Sequence, residues 1–338
     1  MPGMASRRAN LVWHKLIDLG TDIESSTRGI KRLGITRGPA DRFKANAFRI
    51  AYLSGLPWQL MRDFLLAGQL MTEAQRKTNT RGEWRYNELT PGQQRLARRY
   101  YDQLAMEHQK SNRKRNDVEK GLAISDAKGA FNRVVSRWNK PRQSGMEAIM
   151  ASVIVSSWTA FEVLAEDLWV SAVNARPKLG LVLLDAEVKD SDSPKDIERK
   201  HGVMLELPLW KVVDPKFRVH ERMGDLLRNY RRNWAARGDP LKTYRRTFSA
   251  SHSEVEKIFG NQRLLWTEAT RNAIVHNAGH ADAQFLNSVR DHPILKEIKE
   301  NDAIPIDGEI THDLCMGAIA ACVSLLDFVN GWLKNNLK

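Results

Sequence analysis

Apolar residues recur at three- and four-residue intervals through GMEAIMASVIVSSWTAFEVLAEDLWVSAVNARP (145–177), and that period commits the stretch to a long helix ending before Pro177. Ile149, Val153, Ile154, Phe161, Leu164 and Leu168 fall on one face and form a stripe that must be buried against other elements. A helix of this length can hide its apolar face only against further helices or a sheet. Nearly every other periodic segment of the chain also has the helical period. The expected fold class is therefore mainly α.

The remaining segments fill in that expectation. Residues 1–109 read as several short helices, among them ADRFKANAFRIAYLSG and PWQLMRDFLLAGQLM, with a break at the Gly-Leu-Pro between them. In TPGQQRLARRYYDQLAMEH, Thr90 is placed to cap a helix whose first residue is Pro91, and Leu96, Tyr100 and Leu104 share a face. The run QKSNRKRNDVEKG (109–121) is polar and charged, and marks the expected boundary between a region 1–120 and a helical domain 123–338. Residues 178–219 change character: LGLVLLDAEV and GVMLELPLWKVV have strand-like apolar runs, so an insertion with a small hairpin is expected there. Helices are expected at about 220–236, 253–278 and 311–335, the last burying Leu314, Ala318, Ala321, Leu325 and Phe328. Together they suggest an α-helical bundle.

Charge is uneven along this plan. The formal net charge is +13, and residues 1–120 hold 23 Lys and Arg against 12 Asp and Glu, a net of +11 that leaves +2 for the other 218 residues. Such an excess attracts polyanions, and the basic first region is a candidate for nucleic-acid contact or regulation, with Arg113, Lys114 and Arg115 as its densest cluster. Cys315 and Cys322, seven residues apart on a helix, would stand roughly 10 Å apart, too far for a disulfide, and read as small core residues. No uninterrupted apolar run reaches the roughly 18 residues of a membrane span, and the first residues lack a secretory pattern. The expected location is the cytoplasm, without membrane association.

Chemistry concentrates in EATRNAIVHNAGHAD (268–282). Among the nine histidines only His276 has an arginine, Arg271, five positions earlier. On a helix Asn272 and His276 lie one above the other, so Asn272 can orient the imidazole, while Arg271 reaches around the same rim. Gly279 is placed to end the helix in a left-handed turn, which leaves His276 in the last turn, where the carbonyl end of the helix favours imidazolium. Imidazole can take and return a proton near neutrality, and a guanidinium can pair with a phosphoryl group and hold its developing charge. The supporting candidates are Glu162, Asn277, His280 and Asp282. Histidines 276 and 280 are four apart, but Gly279 breaks the alignment and no HExxH pattern is present, so no metal and no cofactor are expected.

The segment resembles the HEPN superfamily (higher eukaryotes and prokaryotes nucleotide-binding domain), whose ribonuclease members carry an arginine, four to six residues, then a histidine, commonly with Asn, Asp or His directly after the arginine. RNAIVHN fits, AIVHNAGHADAQFL is similar to the family's helix end and turn, SSWTAFEVLAEDLW to its opening helix, and IPIDGEITHDLCMGAIAACVSLLDFV to its closing helix. The resemblance covers about residues 123–338, interrupted by the insertion near 178–219. It implies an HEPN-like four-helix bundle and a metal-independent endoribonuclease in which Arg271, Asn272 and His276 are catalytic. The ribose 2′-oxygen would attack phosphorus to leave a 2′,3′-cyclic phosphate and a 5′-hydroxyl. Because one histidine cannot readily serve both sides of the displacement, the resemblance implies a homodimer with a composite site. RNA is the implied partner, with an antitoxin or defence-system partner by analogy with toxin-like and anti-phage relatives. The alternatives are a non-catalytic HEPN-like module that grips a nucleotide or nucleic acid, and a helical regulatory protein whose basic first region binds nucleic acid.

Overall fold

The computed structural model describes residues 13, 15–30, 34–78, 90–114, 128–129, 131–135, 137–138, 140–180, 218–230 and 240–336. Ten helices are named below in chain order: α1 (Lys15–Arg28), α2 (Arg37–Lys77), α3 (Pro91–Lys114), α4 (Lys140–Ala175), α5 (Met223–Tyr230), α6 (Pro240–Thr247), α7 (His252–Phe259), α8 (Gln262–His276), α9 (Ala283–Ser288) and α10 (Gly308–Asn336). Among the described residues no strand forms, and the one extended pairing is an isolated antiparallel bridge between His280 and Ala303. The mainly α expectation is met. The hairpin expected within 178–219 lies outside the described residues from 181 to 217.

α4 and α10 form the centre. Val153, Ile154, Phe161, Leu164 and Leu168 of the α4 stripe are buried, as are Leu314, Ala318, Ala321 and Leu325 of α10, while Ile149 and Phe328 are half-buried at the margin. Burying a side chain of this size contributes about 1.5–3 kcal/mol, so the pair supplies much of the driving force for the bundle. Averaged over 18 residues, both helices are long and apolar enough to cross a membrane, with a mean hydropathy of 1.7. The sequence reading, which counted uninterrupted apolar runs, is corrected on that point; in this fold 50% and 61% of the two windows are buried inside the protein.

The core runs across the boundary expected near 109–121. Leu16, Leu19 and Ile23 of α1 and Phe43, Ala47 and Ile50 of α2 belong to the same apolar cluster as α4 and α10. Polar ties join the same parts: Thr36 and Asn330 share a buried hydrogen bond, and a ring nitrogen of His312 lies 2.8 Å from Asp22.

α2 departs from the expected pair of short helices, because it is one helix of 41 residues that carries Pro57 in its interior. A proline there removes a backbone hydrogen bond and costs about 3 kcal/mol. Offsetting that cost, Leu53, Trp58 and Met61 pack against the core, and Trp58 meets Phe131 edge-on with ring centroids 5.7 Å apart. α3 starts at Pro91 after Thr90 as expected, and Gln93, which the expectation did not include, makes the start a reciprocal pair: Gln93 Oε1 accepts from the Thr90 backbone N–H at 2.9 Å, and the Gln93 N–H donates to Thr90 Oγ1 at 3.4 Å. The face of Leu96, Tyr100 and Leu104 is less buried than expected, with Leu96 exposed and the other two intermediate. The thiols of Cys315 and Cys322 are both free and buried, and burial pushes the Cys315 pKa up to about 12 and that of Cys322 higher still.

Candidate functional site

The helix expected over 253–278 is two helices. Gly260 ends α7, where a Cβ would stand 2.7 Å from the Glu256 carbonyl oxygen. Asn261 then caps α8, its side-chain oxygen accepting from the N–H groups of Arg263 at 3.0 Å and Leu264 at 3.3 Å. Such a cap satisfies donors that the first turn leaves open, which lets a second helix start there. α8 packs against both α4 and α10. Thr267 fixes the second contact, its hydroxyl donating at 2.8 Å to the Leu314 carbonyl.

At the other end α8 stops as expected. The N–H groups of Asn277 and Gly279 both donate to the Ala273 carbonyl at 3.0 Å, Gly279 has φ +77°, and Ala278 is also left-handed at φ +50°. The strand-like segment after the turn is held by the 301–304 region: Ala281 N–H donates to the Asp302 carbonyl at 2.9 Å and Ile304 N–H to the Gly279 carbonyl at 2.9 Å. Asp282 completes the clasp. It caps α9 by accepting from Phe285 N–H at 2.7 Å and accepts from the Asn277 side-chain amide as well. These donors, the Phe285 N–H first, hold the Asp282 carboxyl below the usual carboxylate range.

This clasp frames a pocket of about 500 Å³. One helix face supplies a wall, with Leu265, Glu268, Ala269, Asn272, Ala273 and His276 at helical spacing. The turn and α9 supply the other, with Asn277, Asp282, Gln284, Phe285 and Ser288. His276 is exposed at one end of that face and Asn272 half-buried one turn back. Four candidates from the sequence thus meet here: Asn272, His276, Asn277 and Asp282.

Arg271 stands on the flank of the same helix and is half-buried. Its Nη1 donates to Asn272 Oδ1 at 2.9 Å, whereas its Nε is buried without a hydrogen-bond partner. The partner of Asn272 is therefore the guanidinium, and no hydrogen bond joins Asn272 to His276. A cationic donor one residue away forms the stronger bond, so Asn272 positions the arginine where the sequence reading had it orient the imidazole.

The other candidates stand apart. His280 is exposed, and its backbone belongs to the bridge with Ala303, so it does not line the pocket beside His276. Glu162 lies half-buried on α4 and is not among the pocket residues. Arg113 and Lys114 close α3; their side chains, and Arg115 altogether, are outside the described residues. Among the described residues no three His, Cys, Asp or Glu side chains gather at metal-binding distance. The sequence reading missed Glu268, Leu265 and Gln284. The first two carry a readable signal, spacings of four and seven from Asn272 on one helix face, but Gln284 enters through a turn that spacing cannot reveal.

Packed against α8, His292 is 2% exposed and meets Trp266 edge-on at 4.6 Å. Its Nδ1 accepts from the N–H groups of Ile294 at 3.1 Å and Leu295 at 3.0 Å, which requires that nitrogen to be unprotonated. The Nε2 lies 3.7 Å from Asp313, which also pairs with Arg263 at 3.1 Å. Burial lowers the His292 pKa, and Asp313 opposes this only in part. The unfolded chain therefore takes up the proton first as pH falls. The stabilisation is complete above the ordinary value of about 6.5 and declines as pH drops below it toward the folded value. The urea midpoint is expected to fall between pH 7.5 and pH 5, and His292→Asn, which keeps an acceptor without a titrating ring, is expected to flatten that fall. An unchanged slope in the variant would remove His292 as its source.

Compared with family models, with curated proteins and with solved structures, the chain finds no match.

Proposed function

We propose that this protein is a metal-independent endoribonuclease of the HEPN type, with α4 as the opening helix of an HEPN-like bundle, α8 carrying the motif and α10 closing it. The observation that carries the reading is a single one: an exposed imidazole lining a pocket, with a half-buried guanidinium on the adjoining flank of the same helix. A guanidinium offers a forked set of N–H donors that suits phosphate oxygens. Asn272 holds the guanidinium from the other side.

In the reaction, His276 accepts the 2′-hydroxyl proton as the 2′-oxygen attacks phosphorus. The bond from phosphorus to the 5′-oxygen breaks, and the partner's His276 donates a proton to that leaving oxygen. Arg271 and the partner's Arg271 stabilise the charge on the pentavalent phosphorus, where such electrostatic aid is worth about 10²–10³ in rate. The products are a 2′,3′-cyclic phosphate and a 5′-hydroxyl. The homodimer acts in the cytoplasm on RNA, and the basic region 1–120 aids capture of the strand. Toxin-like or anti-phage action, with a neutralising partner, is the biological setting by analogy.

The test is chemical. RNA should be cut in the presence of EDTA, and the same oligonucleotide with hydrogen in place of the 2′-hydroxyl at the scissile nucleotide should not be cut. Cleavage of the deoxy substrate, or products ending in a 3′-hydroxyl, would refute the mechanism.

A further inference from the structure

α2 buries Phe43, Ala47, Ile50 and Ser54 in the core and turns its opposite face to solvent. Along that face Phe48, Tyr52, Leu56, Leu60 and Phe64 follow one another at intervals of four, an unbroken apolar ridge. Phe48 is 61% exposed, Tyr52 55%, Leu60 61% and Phe64 80%, with Leu56 half-buried between them. α3 packs against α2 and still leaves Leu60, Asp63 and Phe64 exposed. None of these residues lines the pocket of α8 and α9, so the surface is separate from the candidate site.

The face is matched on either side of Leu56. Tyr52 and Leu60 stand four residues from it, Arg49 and Asp63 seven, and Phe48 and Phe64 eight. Positions seven apart on a helix differ by only about 20°, so Arg49, Leu56 and Asp63 fall nearly on one line. An inverted copy of the helix meeting this one at Leu56 therefore sets Tyr52 against the partner's Leu60 and brings Arg49 to the partner's Asp63, each twice.

We infer that α2 is the surface on which a second copy of this chain docks, the two helices running antiparallel about a two-fold axis at Leu56. Interdigitated ridges of this spacing are the commonest way for helices to pack, and their crossing of about 50° carries the helix ends apart, which leaves room for α3. Size agrees with a dimer. At about 150–250 Å² for a whole aromatic side chain, the exposed parts of Phe48, Tyr52, Phe64 and Leu60 come to about 500 Å² on each copy. Two copies together reach the roughly 1,000 Å² that a specific interface needs, before the flanks are counted. Charge favours a copy over a polyanion, because the line through Leu56 holds one cation and one anion that become complementary only on inversion. In the single chain Arg49 reaches the Asn46 side chain at 3.5 Å, and Asp63 pairs with Arg62 at 3.0 Å. These contacts are exposed, and exposed pairs are worth little enough to be exchanged.

The inference stands without the ribonuclease reading. A dimer that brings two copies of His276 together needs a contact through α8, so a chain using both surfaces assembles beyond a dimer. Two measurements on the full-length protein test the α2 contact by itself. Oxidised with copper phenanthroline, Leu56→Cys should link to its own copy, since only a residue on the axis stands close enough to its counterpart for a disulfide. Gln69→Cys, exposed but turned away on the same helix, should not, and the buried Cys315 and Cys322 do not compete. In sedimentation, Arg49→Asp should weaken self-association about 10-fold or more, and the double swap Arg49→Asp with Asp63→Arg should restore it to within about threefold of wild type. Both residues are exposed, so these variants should fold. A wild type that does not self-associate, a Leu56→Cys protein that stays unlinked, or a double swap no better than Arg49→Asp alone would each overturn the assignment.

Discussion

The proposed composite site predicts that wild-type protein, mixed with an equal amount of His276→Ala protein and allowed to exchange subunits, retains about a quarter of the RNA-cleaving activity of an all-wild-type sample at the same total concentration. The figure follows from the chemistry at phosphorus. Attack removes a proton on one side and departure needs one on the other, so a groove with a single imidazole is deficient on one side. Only dimers with two intact subunits then turn over at the full rate, and random pairing leaves about one dimer in four of that kind. Pure His276→Ala should fall by about 10²–10⁴, the span expected for a positioned proton-transfer group, and Arg271→Ala by about 10²–10³. Retention of about half the activity in the mixture would mean that each subunit carries a self-contained site. Full activity of the pure His276→Ala protein would end the ribonuclease reading. The placement of the residues makes the experiment practical, because His276 is exposed and outside the apolar core, so its removal should leave folding intact.

What the chain revealed in advance, and what it hid, divides along a physical line. Signals that are local in origin were legible. The helical period of α4 and α10, the Thr90–Pro91 start of α3 and the left-handed Gly279 after His276 each depend on residues within one or two turns, and each is present. The Pro57 segment went the other way. Locally a proline after Gly-Leu argues for a break, but the packing of Trp58 on Phe131, more than 70 residues later in the chain, carries the helix through it. The Gly260–Asn261 break was missed for the opposite reason, since an apolar period on both sides disguised a local cap. At the site, the stacking of Asn272 over His276 was legible from spacing. The preference of Asn272 for Arg271 was not, because it is set by side-chain rotamers and by charge rather than by position on the helix. The pocket itself needed the α9 wall, and that wall is placed by Asp282 and by the 301–304 segment, contacts that no periodicity encodes.

The coupling between core and site predicts a second large effect, produced by one methyl group far from the imidazole. Gly317 of α10 lies directly under the start of α8, where an added Cβ would stand 2.5 Å from Arg263 Cβ and 3.1 Å from its carbonyl carbon. The neighbouring Arg263–Asp313 ion pair and the Thr267–Leu314 hydrogen bond fix α8 at this height, so Gly317→Ala cannot be absorbed by a flexible side chain and must lift the helix. Overpacking of this kind costs about 1–3 kcal/mol, which in a chain of this size lowers the melting temperature by roughly 1–2 °C per kcal/mol. The larger consequence is at the other end of α8. A shift of about 1 Å in a positioned catalytic group can cost about 10²-fold in rate, so on the proposed function cleavage should fall out of proportion to stability. Gly331→Ala provides the contrast: it lies on the same helix with no atom within 4 Å of the new Cβ, and alanine is the better helix former by about 1 kcal/mol. That variant should melt no lower than wild type and cleave at the wild-type rate. If the two variants behave alike, then the contact of α8 with α10 at Gly317 does not set the position of Arg271 and His276, and the pocket must be held by the α9 clasp alone.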